Sequence, residues 1–253
     1  MARPHVSRHW REVALTSHSL WTDILVNMGI EWIKAMLKRA GPTVPLSITV
    51  ADHPEWDEGI YNALDVFPTE MHRVRRLSVW GDFGELASVY ARLADIPAPL
   101  LESLHFAKSE RWDADCGLSF EGIFAGQTPR LAFLHLDGVG FPWKSFYLFK
   151  NLTYIRIYSY GNGSGVHALP EDLLTALSHM PKLKELLFEG CVLDDWTGDD
   201  VTVLATVQRP TVELEQLSML TMEGPKHVLD FMVKHLVYPE SCTVNLVDAE
   251  TDD

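Results

Sequence analysis

One phrase returns along the chain, and it restricts the fold more than any other feature. Leu131-x-x-Leu134-x-Leu136, Leu152-x-x-Ile155-x-Ile157 and Leu183-x-x-Leu186-x-Phe188 share an apolar spacing of three and then two. The last two apolar positions fall on one face of a strand, because side chains alternate along extended backbone. The phrase recurs at Val74-x-x-Leu77-x-Val79, Leu101-x-x-Leu104-x-Phe106 and Leu214-x-x-Leu217-x-Met219, and more weakly at Ser241-x-x-Val244-x-Leu246. A plain period-two strand surrounds Leu46, Ile48 and Val50. With the fourth position of each phrase as anchor, the series is Ile48, Leu77, Leu104, Leu134, Ile155, Leu186, Leu217 and Val244, with anchors 21 to 31 residues apart. A unit of that length holds one strand and one return segment, and it buries its leucines only against neighbouring units.

Between the strands the apolar period moves toward 3.6, the signature of helices. Pro170 to Met180 places Leu173, Leu174 and Leu177 on one face, and Pro225 to Leu236 does the same with Val228, Leu229, Met232 and Leu236. Each opens with proline, which suits a first helical turn. Asp57 to Val66, Glu85 to Ala94 and Asp199 to Val207 are weaker helices, and Trp112 to Thr128 is broken by glycine. The expected fold is α/β: a leucine-rich-repeat solenoid with a curved parallel sheet of about eight strands, helices on the convex side and an amino-terminal helical cap. The expected organisation is a cap at 1–42, repeats at 43–247 and an acidic, disordered tail at 248–253. Cys191 completes the full repeat pattern after Phe188 and reads as a buried structural thiol.

Charge narrows the function classes. A net charge of -14, from 21 basic and 35 acidic residues, opposes a nucleic-acid backbone. The basic sets Arg73, Arg75, Arg76 and Lys34, Lys38, Arg39 are short enough to be solvated faces. Cys116, Cys191 and Cys242 form no close pair, which fits a reducing compartment. No apolar run reaches membrane-span length, and the first residues lack an apolar signal core. A cytoplasmic or nuclear location is the expectation, with neither nucleic acid nor membrane as partner.

The amino-terminal segment has its own character. Val6, Trp10, Val13 and Ala14 make one face of a helix that ends near Leu15, then Ser19-Leu20-Trp21 follows, and a second helix runs through Trp32, Ile33, Met36 and Leu37 to Gly41-Pro42. The run Val6 to Leu15 with Ser19-Leu20-Trp21, and the later Trp32 to Ala40 helix before Val44-Pro45-Leu46-Ser47-Ile48, resembles the F-box and leucine-rich-repeat proteins of mushroom-forming fungi. That resemblance implies a substrate-receptor subunit of an SCF-type ubiquitin ligase. Trp10, Leu15, Leu20 and Trp21 would face a Skp1-like adaptor or the cap, and the repeats would hold a protein target. The family's F-box opens with a Leu-Pro-containing helix that has no match in Met1 to His5, so the likeness is to an F-box truncated at its amino-terminal half.

Signals for catalysis are poor. His5 and His9 lack the acidic residue of H-E-x-x-H, Gly161-Asn162-Gly163-Ser164-Gly165 lacks the Lys-Ser/Thr ending of a P-loop, and Asp194-Asp195, Asp199-Asp200 and the tail lack a calcium-loop pattern. The expectation is no catalytic residue, no metal and no cofactor. A free-standing interaction scaffold without Skp1 binding is the alternative, and a hydrolase or metal enzyme with dispersed residues is the remote one.

Function is then sought on the positions between the anchors, which face away from the leucines. They are Arg76, Ser78, Trp80; Ser103, His105; Phe133, His135, Asp137; Tyr154, Arg156, Tyr158; Glu185, Leu187, Glu189; and Gln216, Ser218, Leu220. The aromatic, histidine and arginine members suit a recognition surface. Arg76, Trp80, His105, Phe133, His135, Tyr154, Arg156 and Tyr158 are the expected partner-binding residues.

Overall fold

A computed structural model describes residues 7–51, 58–109, 122–140, 149–158, 170–189 and 211–248. The strands are β1 (Asp23–Leu25), β2 (Leu46–Val50), β3 (Val74–Gly81), β4 (Ser103–Lys108), β5 (Phe133–Asp137), β6 (Tyr154–Tyr158), β7 (Glu185–Glu189), β8 (Val212–Glu213), β9 (Met219–Gly224), β10 (Leu236–Val237) and β11 (Thr243–Asp248). Nine of them form one parallel sheet in the order β1-β2-β3-β4-β5-β6-β7-β9-β11, which is chain order, while β8 and β10 make a separate parallel pair. The architecture is therefore mixed α/β around a nine-stranded parallel sheet.

The register reproduces the anchor series with one slip. Ile24, Ile48, Leu77, Leu104, Leu134, Ile155, Leu186, Leu220 and Val244 lie opposite one another across the sheet. The anchor of the penultimate strand is thus Leu220, three residues past the expected Leu217. Two overlapping phrases cause the ambiguity, since Leu217-x-x-Leu220-x-Met222 fits as well as Leu214-x-x-Leu217-x-Met219. Leu217 instead closes a turn, its N–H donating to the Leu214 carbonyl, as Leu183 does to Met180 and Leu131 to Thr128. Leu220 is consequently buried and leaves the open-face set, and Met219, Thr221 and Glu223 occupy that face of β9.

β1 is the second departure. The sequence pattern of residues 1–42 predicts helices alone, whereas Asp23–Leu25 pairs in parallel with β2 and adds a strand to the sheet. Just beyond it the Asn27 carboxamide continues the ladder, accepting from the Ala51 N–H and donating to the Ala51 carbonyl, both at 2.9 Å.

The helices are α1 (Arg8–Thr16), α2 (Ile30–Ala40), α3 (Glu58–Leu64), α4 (Phe67–Glu70), α5 (Phe83–Leu93), α6 (Pro170–Ser178) and α7 (Lys226–His235). Ile33 and Met36 of α2, Leu86, Val89 and Leu93 of α5, Leu173, Leu174 and Leu177 of α6, and Val228, Leu229 and Met232 of α7 join the strand anchors in one continuous core. Each such side chain removed from water contributes roughly 2 kcal/mol. α5 starts at a capping box in which the Asp82 carboxylate accepts from the Glu85 N–H at 2.8 Å and Glu85 accepts from the Asp82 N–H at 2.7 Å. No side chain of α1 is fully buried, whereas α2 carries Ile33, Met36 and Ala40 into the core.

Four residues of the basic sets have partners in the fold. Arg73 is buried, paired to Glu70 at 2.7 Å, and its Nη1 donates to the carbonyls of Gly41 and Val44 at 2.6 and 2.9 Å. It thereby joins the end of α2 to the lead-in of β2. Arg75 pairs with Glu102, Lys34 with Glu31, and Arg39 lies over the Trp21 ring. No helix among the described residues is long and apolar enough to cross a membrane. Cys116, Cys191, the glycine-rich segment at 161–165, the acidic pairs at 194–195 and 199–200, the expected helix at 199–207 and the tail beyond Asp248 lie outside the described residues.

Candidate functional site

The sheet has one face covered by the core and one that carries the variable positions. Register aligns these into rows. The middle row runs Thr49, Ser78, His105, His135, Arg156, Leu187, Thr221, and the row above it runs Trp80, Ala107, Asp137, Tyr158, Glu189. The row below carries Arg76, Ser103, Phe133, Tyr154 and Glu185. Neighbouring strands lie about 4.8 Å apart, so residues side by side in a row must pack on one another.

At the centre that packing is close. The His105 and His135 rings stack with centroids 4.0 Å apart and planes 3° from parallel, and Trp80 meets His105 edge-on at 4.8 Å. Phe133 and Tyr154 lie with centroids 6.0 Å apart in the row below, where Phe133 is 51% exposed. Arg156 follows His135 in register, and its Nη2 donates to Glu189 Oε2 at 3.0 Å across to the next strand. The structure therefore brings together Trp80, His105, His135 and Arg156, and beside them Phe133 and Tyr154. Tyr158 stands in register with Asp137 on the same face.

The electrostatics of this centre favour uncharged imidazoles. Burial holds the His105 ring down at about 4, helped by His135 and Arg156 and opposed by Asp137. His135 is lowered too, first by burial and then by Arg156. Burial disfavours the charged form of Arg156, but Glu189 above all, with Tyr154 and Asp137, favours it and together they outweigh burial. Three polar atoms at this centre are shut off from solvent without a hydrogen-bond partner: His105 Nε2, Asp137 Oδ1 and Arg156 Nε.

No family model and no curated protein matches the chain.

The remaining expected residues lie elsewhere. Arg76 sits at the lower rim, in a cleft of about 300 Å³ shared with Arg75, Ser19, Thr22, Asp23 and Ser47. Trp10, Leu15 and Leu20 are exposed on the amino-terminal segment. Trp21 is half-buried, donates from Nε1 to the Ala14 carbonyl at 2.8 Å and so tethers α1. Among the described residues no group of histidine, cysteine and carboxylate side chains could hold a metal ion. Asp137 and Glu189 stand out only in the structure. Sequence places both on the open face, three residues past an anchor, but nothing in it says which carboxylate Arg156 will take.

Proposed function

We propose that the chain is a non-enzymatic protein-recognition module, similar to the substrate-receptor subunit of an SCF-type ubiquitin ligase, whose open sheet face binds a protein target. The nine sequential parallel strands are read as a leucine-rich-repeat solenoid whose open face is the concave one. The observation that carries the reading is the cluster Trp80, His105, His135 and Arg156: large side chains held side by side on the face away from the core, where folding alone asks for none. Aromatic and arginine side chains held rigid in this way give contact area without much loss of side-chain freedom, as recognition surfaces require.

A second surface supports the adaptor half of the reading. Trp10 is 65% and Leu20 63% exposed, and no side chain of α1 is fully buried. Apolar residues displayed together on a short segment suit a partner. Pull-down with a purified Skp1-like adaptor tests it: retention that Trp10→Ala and Leu20→Ala reduce supports the receptor, and no retention by folded protein leaves a free-standing scaffold. The open face is tested separately by panning a displayed random-peptide library on the intact protein. Enrichment that Phe133→Ala and Tyr154→Ala abolish supports target binding there, and failure to enrich any sequence counts against it.

A further inference from the structure

We propose that the centre of the open face reads a primary carboxamide, the side chain of an asparagine or glutamine on the bound partner, through Asp137 and Arg156; this rests on the recognition reading above and names what that face selects. The argument begins with the three orphaned atoms. A buried polar group without a partner costs the fold about 1–3 kcal/mol, and His105 Nε2, Asp137 Oδ1 and Arg156 Nε are all in that condition within three adjacent strands. Native interiors satisfy such groups almost without exception. Three together on one face mark a place that a group from outside the chain can complete.

The donor and acceptor pattern selects the class of ligand. Arg156 gives Glu189 one N–H of Nη2, and of the donors that remain the Nε–H is the one shut off from solvent without a partner. Asp137 sits on the neighbouring strand, one step up the face from His135, which is the register partner of Arg156. It is near enough to stabilise the guanidinium charge yet forms no ion pair with it. Its Oδ1 is an unpartnered acceptor on the strand next to that donor. A carboxamide presents the reciprocal pair in one plane, its carbonyl accepting from Arg156 Nε–H and its NH₂ donating to Asp137 Oδ1. His105 Nε2 adds a third contact, as donor or acceptor according to tautomer.

Other ligand classes fare worse on the same groups. A phosphate or carboxylate would meet Asp137 and Glu189, with Glu185 on the same face, and at neutral pH the histidines add no positive charge to offset them. A lysine or arginine would gain Asp137 but sit against Arg156. An aliphatic side chain would leave the orphaned atoms as they are. The Arg156 side chain is 37% exposed, so the group lies at the surface of the open face and not in the core.

The test uses a phage library of random dodecapeptides panned on the intact protein, followed by calorimetry of an enriched peptide and of its counterpart in which the carboxamide is replaced by the isosteric carboxylate. The expected result is a shared Asn or Gln at one fixed position, with the carboxylate peptide at least about tenfold weaker on wild type and within about twofold on Asp137→Ala, since a site built to hydrogen-bond a group rejects its near-isostere only while the partner atom is present. Asp137→Ala removes an acceptor without a hydrogen-bond partner, and a cooperative melt of the variant guards against misfolding. Enriched peptides that share a charged residue or no polar residue at that position would overturn the proposal, as would an equal carboxylate penalty on both proteins. Enrichment lost in Phe133→Ala but indifferent to Asp137→Ala would remove the carboxamide and keep the recognition face. No enrichment at all on folded protein would remove both.

Discussion

Removing the proton-binding site at His105 should change how the fold responds to acid. The ring lies between Trp80 and His135, and its proton affinity falls from the ordinary 6.5 to about 4. That difference corresponds to a ceiling of about 3.4 kcal/mol. Solvent reaches part of the ring and screens its charge, so about 1–2 kcal/mol is the working magnitude. The sign follows from which state takes the proton first. As pH drops below 6.5 the unfolded chain protonates while the native ring stays neutral, so the stabilisation is complete above 6.5 and is lost progressively down to about 4. His135 is shifted the same way and adds to the slope. Carboxylates also titrate in this range, so the comparison is with His105→Phe, which keeps a stacked ring and cannot titrate. Urea unfolding at pH 7.5 and 4.5 should show wild type losing about 1–2 kcal/mol more than the variant. Equal losses would refute the account of a desolvated imidazole.

Three further substitutions probe the frame. Arg73→Met leaves Glu70 without its partner and the carbonyls of Gly41 and Val44 without a donor, and chemical denaturation should register a loss of about 3 kcal/mol or more. Asp82→Ala breaks the capping box of α5, which thermal melts should show as a loss of about 1 kcal/mol. Leu220→Ala should cost about 2–5 kcal/mol, whereas Met219→Ala should stay within about 0.5, and the reverse order would restore the register anchored on Leu217.

That last pair marks where the sequence stopped being decisive. Apolar spacing located Ile48, Leu77, Leu104, Leu134, Ile155, Leu186 and Val244 because a strand with one buried face must repeat with period two. Around Leu214, Leu217 and Leu220 the same rule is satisfied twice, and only pairing with β7 chooses. β1 escaped because a three-residue strand with one buried side chain, Ile24, is too short to show a period. The histidine stack was legible, since His105 and His135 each follow an anchor by one residue and must sit side by side once the anchors align. The orphaned state of Asp137 was not. It depends on Arg156 reaching forward to Glu189 instead of back, a choice between two carboxylates that spacing alone does not reveal.

Chain order and sheet order coincide along all nine strands. Such a sheet can be shortened without being rewired. Cutting out one whole unit, from Leu134 to just before Ile155, would set Leu104 directly against Ile155 with every other pairing untouched, because each strand meets only the one before and the one after it. That excision would take His135 and Asp137 with it and spare Trp80, His105 and Arg156. The molecule thus offers a way to delete the centre of its face as a block, and to ask whether selectivity resides in that block, while the rest of the ladder closes over the gap.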